Sequence, residues 1–265
     1  MKVAIGVTYD GGPFEGWQSQ ASGRTVQDHL ERALAAVASS PVRLVAAGRT
    51  DTGVHALGQV AHFETEAERP LQAWVRGANS ALPAAIAVQW AQHVPDAFSA
   101  RYSATARTYR YLLYCHPVRP AVLAGRVGWY HLALDLEAMQ AAGRVLLGEH
   151  DFSAFRSIEC QAKSPVRNLR HLGVALRGPY FVFDFTADAF LHHMVRNIVG
   201  CLVYVGKGRH TPDWMADVLA SRDRSRAAPT FGPAGLYLAE VRYGPEWNLP
   251  GFPPIMPFFS TALPE

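Results

Sequence analysis

Apolar positions along the chain fall into two successive series of strand-like and helix-like segments. Lys2 to Tyr9 reads as a strand, and Asp10 to Gln20 as a Gly-rich loop carrying Phe14 and Trp17. Thr25-Val26-Gln27-Asp28 resembles a capping box. It opens a helix to about Ala38, with Val26, Leu30, Ala33, Leu34 and Val37 on one face. Apolar runs at Val42–Ala47 and Gln59–Phe63 predict two strands around a polar turn. Pro70 opens a second helix to about Ala81, Ile86–His93 alternates as a strand does, and Phe98–Tyr102 begins another. This first series reads β-α-β-β-α-β, the split ferredoxin-like order.

The second series repeats that order with insertions. Thr108–Cys115 predicts a strand and Leu134–Leu147 a helix. Leu169–Leu176 and Tyr180–Thr186 predict a hairpin around Arg177-Gly178-Pro179. Ala189–Val205 predicts a long apolar helix, Thr211-Pro212-Asp213 caps a shorter one, and Leu236–Tyr243 predicts a final strand. The expected fold is therefore α+β: two ferredoxin-like (RRM-like) halves with mainly antiparallel sheets, joined across a central cleft. The halves span 1–104 and 105–243. Residues 244–265 hold six prolines and little periodicity, and read as an irregular surface tail.

Composition narrows the function classes. The chain has 265 residues, 49% of them hydrophobic, enough for a large packed core. No run approaches the roughly 18 apolar residues that a membrane span needs. Its start leads straight into a strand-like run without a signal-peptide layout. Three widely spaced cysteines (Cys115, Cys160, Cys201) oppose a disulfide framework and a zinc site, and fit a cytoplasmic protein. The formal charge is only +3, but 22 of the 25 basic residues are arginine. Guanidinium forks suit phosphate and bases. Arg-rich composition also follows from GC-rich coding, so this feature alone does not assign a nucleic-acid partner.

The densest chemical signal is Gly48-Arg49-Thr50-Asp51-Thr52-Gly53, followed by Val54-His55-Ala56. It sets a carboxylate on a Gly-bounded turn between two apolar runs, with Arg49 two residues before it. Such an acid suits nucleophilic or electrostatic work. An Asp in a turn also commonly bonds its own backbone, and the local pattern leaves both readings open. Arg107-Thr108-Tyr109-Arg110-Tyr111 alternates aromatic and cationic groups, placing Tyr109 and Tyr111 on one strand face and Arg110 on the other. A tyrosine there either stacks a base or fills a sheet face. Arg196 stands among apolar neighbours, where a buried guanidinium requires an acid. Asp51 is a candidate, and a solvated arginine is the alternative. His192 and His193, read as adjacent helical residues, point about 100° apart and do not form a metal pair. His55 and His62 read as structural. There is no Walker loop and no dinucleotide fingerprint. In Gly11-Gly12-Pro13, proline removes a donor that a phosphate cradle would use.

Seven ordered blocks together resemble one family, the tRNA pseudouridine synthases of the TruA type. They are Tyr9 to Gln18, Gly48 to Ala56, Asn79 to Pro83, Ala100-Arg101-Tyr102-Ser103-Ala104, Arg107 to Tyr111, His150 to Arg156 and Phe190 to Gly200. The likeness runs from about residue 2 to 243. Thr52 departs from the alanine usual at its position. The resemblance implies isomerisation of uridine in tRNA with no cofactor and no metal. It implies Asp51 as nucleophile, Tyr109 stacking on the base and assisting proton removal at C5, and Arg49 filling the space of the flipped nucleotide. Arg196 would pair with Asp51, and Leu236 would wall the pocket. The implied partner is the anticodon stem-loop of tRNA at positions 38, 39 and 40, bound by a cytoplasmic homodimer without membrane attachment. Two rivals remain at this level: a non-catalytic RNA-binding protein, which lacks its usual RNP aromatic signature here, and a nucleoside hydrolase, which would need a second acid.

Overall fold

In a computed structural model that describes residues 1–252, the ten strands form one sheet rather than two separate ones. The first series supplies β1 (Lys2–Tyr9), α1 (Val26–Ala38), β2 (Val45–Ala46), β3 (His55–Glu64), α2 (Leu71–Ala81) and β4 (Ile86–Val94). The second supplies β5 (Ala104–Cys115), β6 (Gly128–Tyr130), α3 (Leu136–Arg144), β7 (Gly148–Asp151), β8 (Val166–Arg177), β9 (Tyr180–Ala187), α4 (Met194–Gly206), α5 (Trp214–Ser221) and β10 (Leu236–Tyr243). The strand order is β4-β1-β3-β10-β5-β9-β8-β7, with β2 beside β3 and β6 beside β5. Pairing is antiparallel except at β5/β6 and at β3/β10, where the series meet. That second contact is short: Tyr237 faces His55 and Leu238 faces Ala56.

Local chemistry accounts for most boundaries. The Thr25 capping box forms: Asp28 N donates to Thr25 Oγ1 at 3.2 Å, and Thr25 N donates to Asp28 Oδ2 at 3.3 Å. Pro70 stands immediately before α2, where its missing N–H costs nothing. Asp135 starts α3 by accepting from Ala138 N at 2.9 Å, which shortens the predicted 134–147 helix. The helices pack on the sheet: Val26, Leu30 and Leu34 of α1, Trp74 of α2, Met139 of α3 and Ile198 and Leu202 of α4 are buried in one continuous core.

Several expectations change. Phe98–Tyr102 is a turn, closed by Phe98 N to Pro95 O (2.9 Å) and Ser103 N to Ser99 O (2.9 Å), and β5 begins only at Ala104. Helix α4 starts five residues after Ala189. The Asp188 carboxylate takes the Ala189 N–H at 2.8 Å, and His193 is left-handed (φ 63°), so the backbone turns before the helix begins. The short strands β2, β6 and β7 carry too few residues for an apolar period. The 244–252 segment is no loose surface tail. Trp247, Leu249 and Phe252 pack on the core, Trp247 lies edge-on to Phe98, and Gln92 Nε2 donates to Trp247 O at 3.3 Å. The rest of the Pro-rich stretch, 253–265, lies outside the described residues.

Candidate active site

The Asp51 turn hangs between β2 and β3 and is fixed from several directions. Trp17 N donates to Thr50 O at 3.0 Å, Gln59 Nε2 donates to Gly48 O at 2.7 Å, and the hydroxyls of Tyr9 and Thr50 share a 2.8 Å bond. Val54 N closes the turn on Asp51 O at 3.1 Å. Gly53 has φ +77°, which a side chain would strain. The Gly-rich opening loop presses directly on this turn: a Cβ on Gly11 would sit 1.9 Å from Val54 O, so only glycine allows the approach. Gly11 therefore serves close backbone packing. His55, with 1% exposure, is a second strut. Its Nδ1 accepts from Gly11 N at 3.0 Å, and its Nε2 reaches the carbonyls of Gly125 (3.0 Å) and Ala234 (3.1 Å). His62 accepts from Ala100 N at 3.1 Å. Both are structural, as their setting in the sequence suggests.

Arg196, on the first turn of α4, closes the site from the second series. Its Nη1 donates to Asp51 Oδ2 at 3.0 Å, while its Nε donates to Phe231 O at 2.9 Å. The acid and guanidinium side chains are 20% and 13% exposed, so the pair is largely shielded from water. One guanidinium thus spans the carboxylate and a backbone carbonyl, a geometry that its planar fork permits. Tyr109 of β5 is buried edge-on against Phe190, with ring centroids 5.0 Å apart. Its hydroxyl lies 3.8 Å from where a Gly48 Cβ would stand, and it has no hydrogen-bond partner among the described residues. Burial, Tyr9 and the Asp51 charge all push its phenol upward, so it stays protonated. Arg49 is exposed, with no acid partner among the described residues, and Leu236 is buried where β10 begins, opposite Tyr111. Arg110 is spent on Asp184 at 2.7 Å.

His192 and His193 join the site, contrary to the helical reading. Their rings are 4.0 Å apart instead of diverging, because His193 precedes α4 in a left-handed conformation. His192 Nε2 lies 3.2 Å from Asp51 Oδ1, and His193 Nε2 lies 3.3 Å from Oδ2. The signal was present in sequence only as two histidines at the threshold of an apolar helix; locating the helix start would have revealed it. The three ligand atoms lie within 4.8 Å of one another and could hold a cation. Arg196 already brings positive charge to Oδ2, which works against a metal there.

These contacts divide the charges. Burial would raise the Asp51 pKa. The His192 hydrogen bond, the His193 charge and the Arg196 hydrogen bond outweigh that, and the carboxyl is held below its usual range. His192 is raised, first by its hydrogen bond to Asp51, whereas His193 is lowered, first by burial. A raised histidine stabilises the fold fully below its unfolded pKa of about 6.5, and that contribution is lost as pH rises through the higher folded value. The depressed carboxylate acts oppositely: its contribution is present above about 3.9 and is lost as pH falls through the lower folded value. His192→Gln is therefore expected to lower the melting temperature more at about pH 5.5 than at about pH 8.5. Thermal denaturation across that range checks it; an equal loss at both ends would refute a charged His192.

A family model described as tRNA pseudouridine synthase matches residues 6–103 and 142–244, taking in Asp51, Tyr109's flanking strands and Arg196. A "tRNA pseudouridine synthase A" of Paraburkholderia xenovorans is 60% identical over 249 residues, covering 94% of this chain and 92% of the relative. Proteins with the same name from Aromatoleum aromaticum and Burkholderia multivorans are also 60% identical, over 95% and 94% of this chain and 95% and 93% of their own lengths. With near-complete coverage at that identity, and a lone acid clasped by a guanidinium at the join of the two series, the chain belongs to the tRNA pseudouridine synthase family and is an isomerase.

Proposed function

We propose that the protein converts uridine to pseudouridine at positions 38, 39 and 40 of the tRNA anticodon stem-loop, with Asp51 as nucleophile. The observation that carries this reading is the Asp51 carboxylate, shielded from water and held by Arg196 at 3.0 Å, in surroundings that favour its charged form. The reaction breaks C1′–N1, turns the uracil and joins C1′ to C5. The C5 proton leaves and N1 gains one. Substrate and product are isomers, so nothing is oxidised or reduced and no cofactor is called for. Asp51 either traps C1′ as positive charge builds on the sugar, as acids do in glycoside cleavage, or adds to C6 of the base. Both routes need a carboxylate that stays ionised, which the three surrounding donors provide.

Tyr109 stacks on the uracil. Its hydroxyl, held protonated, assists proton removal at C5 by taking that proton only as it passes its own to water, so no phenolate stands. Exposed Arg49 fills the gap left by the flipped nucleotide and offsets an unstacking cost of a few kcal/mol. Leu236 walls the pocket, which keeps the detached uracil from escaping. The first series runs β4-β1-β3-β2, its fourth, first, third and second strands, and the four long strands of the second, with the short β6 and β7 set aside, run β10-β5-β9-β8 in the same relative order, which supports two ferredoxin-like halves at 1–104 and 105–243. Asp51 comes from one half, and Tyr109 and Arg196 from the other. The protein acts as a cytoplasmic homodimer with both subunits touching one tRNA.

Purified protein is expected to release tritium from tRNA bearing 5-tritiated uridine, without added cofactor, and sequencing should then place pseudouridine at 38–40. Tight tRNA binding without release would favour a pure RNA-binding protein. Free uracil as product would favour a hydrolase.

A further inference from the structure

The Ala100–Ala104 block has no part in the chemistry above, yet it presents Tyr102 at 80% exposure. The turn beneath that ring is tied down on every side. Ser103 N donates to Ser99 O at 2.9 Å, Ser99 N to Ser103 Oγ at 3.0 Å, and Tyr102 N to Ser99 Oγ at 3.3 Å. Ala100 N donates to His62 Nδ1 at 3.1 Å, and Tyr243 Oη to Ala100 O at 2.7 Å. An aromatic held up on a rigid support has already paid much of the ordering entropy of binding. Beside it, the exposed Arg101 guanidinium lies 5.3 Å from the ring centroid, with no acid partner among the described residues.

The turn is also joined to the site. Arg107 Nη2 donates both to Arg101 O at 2.6 Å and to Ala47 O at 2.9 Å. Ala47 leads directly into Gly48-Arg49-Thr50-Asp51. The Tyr102 turn is therefore linked through one guanidinium to the segment that leads into exposed Arg49 and the Asp51 turn. An exposed ring with a guanidinium beside it that has no acid partner among the described residues matches a nucleobase with its phosphate better than an apolar protein surface.

We propose that Tyr102, assisted by Arg101, is a stacking platform for an unpaired nucleotide of the tRNA next to the target uridine. The inference rests on the tRNA reading above. Base–aromatic stacking predicts that Tyr102→Ala raises the tRNA KM about tenfold and leaves kcat within about twofold. Tyr102→Phe and Tyr102→Trp should restore KM, and the tryptophan emission should be quenched when tRNA binds. An unchanged KM in Tyr102→Ala, measured against an active wild type, overturns the platform. A change of mass by light scattering in Tyr102→Ala also overturns it, because it would assign the ring to contact with a second copy of the chain. Absence of release by the wild-type protein would sink the tRNA reading instead.

Discussion

Asp51→Ala is expected to keep tRNA affinity and to lose tritium release by about four orders of magnitude, the scale on which a covalent nucleophile acts in concert with its surroundings. Asp51→Asn should be equally inactive. It retains an acceptor for Arg196 but lacks the negative charge that either route to the intermediate requires. The pair separates chemistry from architecture. Asp51→Ala leaves Arg196 and both histidines facing an empty corner, so some stability falls with it, whereas Asp51→Asn fills that corner. Single-turnover release on saturating tRNA, beside filter binding, measures both effects. A variant within tenfold of wild type would remove Asp51 from the mechanism.

Arg196→Ala should damage stability and catalysis together. Removing one partner of a shielded ion pair costs about 3 kcal/mol, or roughly 6–12 °C in melting temperature for a domain of this size. The Phe231 carbonyl loses its Arg196 Nε donor at the same time. Asp51 then keeps only the imidazoles, loses the guanidinium that helps to hold its carboxyl below the usual range and to fix its position, and kcat falls. Arg196→Lys should not rescue, because a point ammonium cannot span Asp51 Oδ2 and Phe231 O at once. Calorimetry and the release assay report the two losses separately. A protein that melts with wild type and turns over at full speed would refute the pairing as a functional element.

What could be read from sequence depended on the length of the signal. β1, α1, α2, β4 and β10 carry unbroken periods or caps, and each lies where its pattern puts it. Asp51 stood out on its Gly-bounded turn, Tyr109 in an alternation of aromatic and cationic groups, and Arg196 among apolar neighbours; the fold pairs Arg196 with Asp51 and sets the Tyr109 hydroxyl beside Gly48 of the same turn. The histidine pair was misread because helical geometry was assumed one turn too early. Its convergence depends on one positive φ at a non-glycine residue, His193, which no periodic pattern announces. The Arg107 clamp was equally hidden: its partners are backbone carbonyls of Ala47, Arg101, Ala104 and Asp188, which no side-chain motif encodes. The merging of the sheets was invisible for the same reason, since two residue pairs between β3 and β10 leave no periodic trace.

The place of β10 has a consequence for synthesis on the ribosome. The last strand made, among the described residues, is inserted between β3 and β5. Asp51 is translated 145 residues ahead of its guanidinium partner Arg196, a lag of roughly 7–30 s at about 5–20 residues per second. Until β10 follows, the edges of β3 and β5 that it will fill are open to other chains. A nascent chain halted before Leu236 would therefore carry a divided sheet, with an acid on one portion and its cation on the other.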